Sequence, residues 1–369
     1  MTNRSRNRAI FATLASMLFV VVLCGSLTFI LFGDELMDVA RDTLLRISIA
    51  ARQDELEASV SDDDRPIRFE VNSGDTPFVI ANNLAASALI LDADLFVDYV
   101  RIEDLDTQLE AGVYFLNQTQ TIPIIAEALT DSSSSSITLR IIEGWRLEQV
   151  VEAIENDPRF GFSGAAFFNV IQPGALQGSD FAQAVGMPSG ASMEGFLYPA
   201  TYQLPPTVTP LMLRDELMQS FLSAIGSNLP AQAAARGLSI YEVVTLASIV
   251  EREALHDDEK PLIASVYLNR ISINMRLDAD PTVQYALGRS RGDWWPRITV
   301  ADYQGVVSTY NTYRNNGLPP GPIANPGLPS IQAVVFPETS EYFYFRADCR
   351  SDGYHDFAQT YTEHLENGC

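Results

Sequence analysis

The chain has 369 residues, enough for two or three domains with cores of their own, and its 47% hydrophobic content excludes general disorder. Against 24 Lys and Arg stand 47 Asp and Glu, a formal net charge of -23 that repels phosphate backbones and anionic lipid headgroups. Nucleic acid is thereby excluded as a partner of the folded part, whereas a neutral polymer such as a glycan is compatible.

Arg4, Arg6 and Arg8 precede an uncharged stretch from Ala9 to Gly33. At about 1.5 Å per residue this stretch exceeds a hydrocarbon core of roughly 30 Å, so residues 9–33 read as a single transmembrane helix. The basic residues before it and Asp34 and Glu35 after it put residues 1–8 in the cytoplasm and the rest outside. A cleaved signal peptide is the rival reading, and no small-x-small cleavage site follows the apolar run. Val21-Val22-Leu23-Cys24 resembles a lipoprotein cysteine, with bulky Leu23 where a small residue is expected. With Cys24 in the span, Cys349 and Cys369 form either a bridge in an oxidising exterior or two free thiols.

Residues 34–66 read as a helical stalk and linker that ends at the polar break Ser61-Asp62-Asp63-Asp64-Arg65-Pro66. A first domain follows over residues 67–136. Ile67 to Val71 alternates like a strand, Ser73-Gly74-Asp75-Thr76 makes a turn with a helix cap, and Pro77 to Leu84 has helical apolar spacing. The pattern then repeats. Ile137 to Ile142 is strand-like, Glu143-Gly144-Trp145-Arg146 is the turn and Leu147 to Ile154 the helix, so Gly74 matches Gly144 and Ile80 matches Val150 at one offset. Trp145 suits either a sugar face or the core. Asp131 and the serines from Ser132 to Ser136 mark a polar connector.

Chemistry concentrates further on, in a catalytic region over residues 137–369. Glu194-Gly195-Phe196-Leu197-Tyr198-Pro199-Ala200-Thr201-Tyr202 combines a carboxylate with aromatic side chains and a helix-breaking Pro, which suits a cleft wall or an ordinary buried turn. Ser239 and Glu242 form a capping box for a largely buried helix through Val250. At its end stand Glu251 and Glu253. Glu251 shares a face with Val244, Ala247 and Ser248, where desolvation favours the protonated form that a general acid needs. Glu253 points elsewhere but has Ile249 and Val250 as neighbours, so periodicity does not choose between the two, and an ion pair to Arg252 or Arg270 explains either. Pro261 to Arg270 reads as a second helix delivering Asn269 and Arg270, followed by an irregular segment ending in Asp280-Pro281-Thr282. Ser308 to Tyr313, Gly317 to Pro320 and Ile323 to Gly327 supply further polar and aromatic loops.

In combination, Ile-Val-Glu-Arg-Glu, Ser-Val-Tyr-Leu-Asn-Arg, Asp-Pro-Thr-Val and Tyr-Asn-Thr-Tyr with Gly-Leu-Pro-Pro resemble the MltG-type (YceG-like) endolytic murein transglycosylases over essentially the whole region after the membrane. The strand-turn-helix units resemble LysM-type glycan-binding modules. The resemblance implies an α+β fold, with a transmembrane helix, a LysM-like subdomain and a mixed α+β catalytic domain. It implies a lyase of the bacterial inner membrane whose catalytic part lies on the extracytoplasmic side and acts on nascent peptidoglycan glycan strands beside the peptidoglycan synthases. It implies Glu251 as the catalytic acid, and a substrate cleft of Glu194, Asn269, Arg270, Asp280, Thr282, Tyr310, Asn311 and Thr312. Asp278 departs from the family's usual Gln, and the segment Ala347 to His355 replaces a Gly-rich turn with a cysteine-bearing one. The implied reaction forms a 1,6-anhydromuramyl end and needs neither cofactor nor metal; His256, His355 and His364 show no ligand spacing. A hydrolytic muramidase and a non-catalytic glycan-binding scaffold are the alternatives.

Overall fold

The computed structural model describes residues 37, 39, 41–132 and 135–368. The apolar stretch 9–33, Cys24 and Cys369 lie outside them. The chain divides at Ser135 and Ser136 into two compact units.

In the first unit, β1 (Ile67–Val71) pairs antiparallel with β2 (Gly112–Leu116), with Ile67 opposite Leu116 and Val71 opposite Gly112. Between the strands run α1 (Pro77–Ala86) and α2 (Ala93–Ile102), and α3 (Ile122–Ala128) follows β2. Each helix starts where the sequence supplies a cap. Thr76 accepts from the Val79 amide with Pro77 at the first helical position, and Asp92 accepts from the Leu95 amide. The order strand, helix, helix, strand buries Phe69, Ile80, Leu84, Leu95 and Phe96 in one core. Leu56, inside the stretch expected to be stalk, is buried in that core, and Arg52 pairs with Asp92. The region read as a stalk therefore packs on this unit from about residue 46, where Arg46 donates to the Ile102 carbonyl and Ile49 lies against the core.

The second unit opens on the same motif. Strand β3 (Ile137–Arg140) leads through Gly144, at φ +75°, into α4 (Leu147–Glu155), as β1 leads through Gly74, at φ +94°, into α1. Glycine is required at both turns because a Cβ is strained in this left-handed region. After α5 (Gly164–Ile171), β4 (Thr201–Leu204) returns antiparallel to β3. The remainder is mostly helical: α6 (Pro210–Ile225), α7 (Ile240–Glu253), α8 (Lys260–Ser272), α9 (Asp280–Leu287) and α10 (Leu328–Val335). A last hairpin, β5 (Tyr344–Ala347) with β6 (His355–Ala358), and α11 (Tyr361–Glu366) close the unit. Helices and two-stranded sheets mix in one chain, an α+β fold. Cys349, in the turn between β5 and β6, is disulfide-bonded.

Helix α7 is the axis of this unit and packs against α8 and α10. The expected capping box is present, with Ser239 and Glu242 satisfying each other's backbone N–H. Val243 through Val250 are all buried, and each Val, Leu or Ile among them contributes about 1.5–3 kcal/mol. The helix is buried round its whole circumference, so its polar residues need internal partners. The Thr245 hydroxyl donates to the Tyr241 carbonyl, and the Ser248 hydroxyl donates to the Thr245 carbonyl while accepting from the Ile323 amide. Gly195, at φ +87°, lies so close that an added Cβ would meet Pro322 Cβ at 2.5 Å and Val244 Cγ1 at 2.8 Å. Gly195→Ala combines left-handed strain with overpacking, so it is expected to cost about 2–4 kcal/mol. Thermal unfolding of the variant checks this.

Candidate active site

The last turn of α7 places three charged side chains at about 100° intervals round the helix, so consecutive residues face different surroundings. Glu251 turns inward. Its Oε2 accepts from the Gly327 amide at 3.0 Å, the Ser330 hydroxyl at 2.6 Å and the Lys260 ammonium at 3.4 Å. Lys260 is only 2% exposed and also pairs with Asp257 at 2.7 Å. Glu251 thus ties α7 to α8 and to the first turn of α10. Glu143 lies against Gly327 beside this cluster, and burial together with the Glu251 charge raises its pKa. Arg252 stacks on Trp295, with 4.1 Å between guanidinium and ring centre.

Glu253 faces the other way, into a cavity of about 640 Å³. Its Oε1 accepts from the Tyr267 hydroxyl at 2.8 Å. Burial is the main cause that pushes its pKa up to about 7; Asp280 adds to the effect, while the Tyr267 hydrogen bond and the Arg252 and Arg270 charges only partly oppose it. This is a carboxyl that holds its proton near neutrality. Tyr267 and Arg270 reach the same cavity from α8 because they stand three positions apart, on one helix face. Arg270 is immobilised by the carbonyls of Phe343, Arg276 and Leu277 and packs on the Tyr344 ring at 5.2 Å.

Asp278 and Asp280 form another side of the cavity. Asp278 has φ +45°, a left-handed conformation that Asp tolerates better than Gln because its short side chain bonds locally. Its charge is matched by Arg276 at 3.3 Å and Arg270 at 3.9 Å. Asp280 opens α9, accepts from the Tyr313 hydroxyl, and has its pKa raised by burial. Tyr313 stacks on Tyr303 with ring centres 4.2 Å apart, and both rings line the cavity.

The residues expected to form the cleft separate into three groups. Arg270 and Asp280 line the Glu253 cavity. Asn269, Thr282, Asn311 and Thr312 do not line it, and they serve the backbone instead. Asn269 donates to the carbonyls of Ser340 and Tyr342, and Asn311 donates to those of Tyr303 and Val306. The Thr282 hydroxyl donates to the Ala279 carbonyl, so the Thr312 hydroxyl must donate to Thr282 Oγ1 while accepting from the Ala279 amide. These interior bonds hold Asp280, Tyr303 and Tyr313 in place. Glu194 and Tyr310 line a different pocket, of about 290 Å³, with Tyr241. Glu194 is 3% exposed, accepts from the Leu147 amide and the Tyr285 hydroxyl, and has its pKa raised well above the carboxylate range by burial. It braces α4 and α9 from within. Tyr267, Tyr303, Tyr313 and Tyr344 were not singled out by spacing. Tyr267 and Tyr313 lie inside motifs whose Asn, Arg and Thr drew attention first.

A family model described as YceG-like matches residues 69–368. The chain belongs to the YceG-like family. Among YceG-like relatives, the "endolytic murein transglycosylase" of Bacillus subtilis (strain 168) is 29% identical over 323 residues, which cover 84% of this chain and 86% of that protein. The protein of the same name in Streptococcus pneumoniae serotype 2 (strain D39) is 29% identical over 313 residues, covering 78% of this chain and 55% of that protein; the match thus spans about half of the longer relative. The crystal structure of a YceG-like protein from Listeria monocytogenes superposes with a TM-score of 0.56 at 29% identity, covering 82% of this chain and 99% of that one.

Proposed function

We propose that this YceG-like chain is a membrane-anchored lytic transglycosylase that cleaves peptidoglycan glycan strands internally, with Glu253 as its acid. The observation that carries the reading is the Glu253 carboxyl, its pKa raised to about 7, lining a cavity of about 640 Å³ among Tyr, Asp and Arg side chains. Glu251 fits the part less well because Lys260, Ser330 and the Gly327 amide all converge on its Oε2.

Glu253 donates its proton to the glycosidic oxygen between N-acetylmuramic acid and N-acetylglucosamine. The bond from that oxygen to the muramyl anomeric carbon breaks, and an oxocarbenium-like charge develops on the sugar. The Tyr267 hydroxyl, already donating to Oε1, stabilises the carboxylate left behind. The muramyl 6-hydroxyl closes on its own anomeric carbon and returns its proton to Glu253. No water is consumed. Asp280, inside the same cavity, stabilises the positive charge as it forms.

Hydrolysis is the second reading, favoured by that same Asp280, because a second carboxyl can direct a water at the anomeric carbon. Mass spectrometry of digested peptidoglycan separates the two. Anhydromuramyl ends inside long strands are the expected product; reducing muramyl ends would replace the lytic reaction with a hydrolytic one, and intact strands would favour a glycan-binding scaffold.

The first unit and its repeat, each a strand, glycine turn and helix, serve as LysM-like glycan-holding modules in this reading. Residues 9–33 anchor the protein in the inner membrane, with the cavity on the extracytoplasmic side. Tethered there, it meets strands as peptidoglycan synthases extrude them, and cutting them sets their length.

A further inference from the structure

Asp278 and Asp280 make one side of the Glu253 cavity acidic; the side built by β5 and α11 is basic and aromatic, with Tyr344, Arg346, Tyr361 and His364. Tyr344 stands 5.9 Å from Tyr361 and 5.5 Å from His364, ring centre to ring centre. Arg346 Nη1 donates to the His364 carbonyl at 3.3 Å. Its Nε is buried with no hydrogen-bond partner, and so is Nδ1 of His364. Burial and the charges of Arg346 and Arg270 lower the pKa of His364, so the imidazole is neutral and the positive charge of this wall sits on the two guanidinium groups. Arg270 is engaged by carbonyls, whereas Arg346 has a donor to spare. A buried donor without a partner costs about 1–3 kcal/mol, an expense that a ligand with the matching acceptor removes.

Neutral sugar hydroxyls do not call for a guanidinium. On the proposed function, the substrate carries one arm that does: the peptide attached through the lactyl ether to every muramyl residue, with free carboxylates along it. We infer that the Arg346–His364 wall binds a carboxylate of this peptide arm and so places a muramyl residue, not a glucosaminyl one, with its anomeric carbon at Glu253. A charge-assisted bond from Arg346 to a carboxylate is short and directional, and the neutral His364 ring offers a second site for a peptide amide or carbonyl. The tyrosines flank the arm. The cavity would then read chemical identity at the sugar that must supply the 6-hydroxyl.

The test uses the 369-residue chain in detergent on two preparations of the same uncross-linked strands, one native and one with its peptide carboxylates converted to amides. Both keep the lactyl amide, so only the peptide charge differs. Wild type is expected to cleave native strands with a kcat/KM about tenfold above that for amidated strands. Arg346→Gln is expected to cleave both at the lower rate, and Arg346→Lys to recover part of the preference. Equal cleavage of the two preparations by wild type overturns the inference whether or not Arg346→Gln folds, and so does an equal loss on both in a folded variant. If wild type cleaves neither, the proposed function itself fails and takes this inference with it.

Discussion

Glu253→Gln is expected to lower kcat/KM for glycan cleavage by about 10³-fold while making the protein more stable at pH 8. The loss follows from removing the carboxyl proton that Glu253 holds near neutrality, and general acid catalysis is worth roughly 10²–10⁴ in rate. The gain follows from linkage. The folded-state pKa of Glu253 is raised from 4.5 to about 7, so burial favours the neutral form. Below about pH 4.5 the carboxyl is protonated in both states and folding keeps the full benefit. As pH rises to 7 the unfolded chain ionises first, and by pH 8 the folded state has lost about 3 kcal/mol relative to acid conditions. Gln keeps an acceptor for the Tyr267 hydroxyl and has no proton to lose, so this loss disappears. Melting temperature should rise by several degrees at pH 8 and change little near pH 4.5. An inactive variant with unaltered melting at both values would leave Glu253 without the environment assigned to it.

Glu251→Gln should behave in the opposite sense. Glu251 compensates Lys260, whose side chain is 3% exposed, and accepts from the Gly327 amide and Ser330 at the start of α10. An amide oxygen retains the two neutral donors but not the charge, and removing one member of a buried ion pair costs about 3–5 kcal/mol. Lys260 keeps Asp257 at 2.7 Å, which offsets part of this because Asp257 is exposed and weakly held, so about 2–3 kcal/mol is expected. The folded fraction should still cleave strands within about fivefold of wild type. Denaturant unfolding and cleavage rates on the same preparation check both halves, and a stable but inactive Glu251→Gln would return the acid to Glu251.

Much of the fold was legible because it rests on local rules. The capping box at Ser239 and Glu242, the strand-glycine-helix repeat, and the helix that ends with Asn269 and Arg270 all appear at or within two residues of their expected bounds. The choice between Glu251 and Glu253 was not legible, because apolar neighbours flank both. Contacts distant in sequence distinguish them: Lys260 and Ser330 for the first, Tyr267 and Asp280 for the second. The same limit explains Asn269, Thr282, Asn311 and Thr312. Their side chains suit sugar hydroxyls and backbone amides equally, and only the folded loops show that backbone groups occupy them. The basic wall escaped notice because Arg346 and His364 lie on separate short elements that only tertiary packing brings together.

The pH dependence of kcat/KM for glycan cleavage by the 369-residue chain tests the assignment of Glu253 most directly. The proton on Glu253 is present below a pKa of about 7 and lost above it, so the rate should hold through pH 6 and then fall about tenfold for each further pH unit. A rate that stays level or rises from pH 6 to pH 9 would contradict a Glu253 carboxyl as the proton donor.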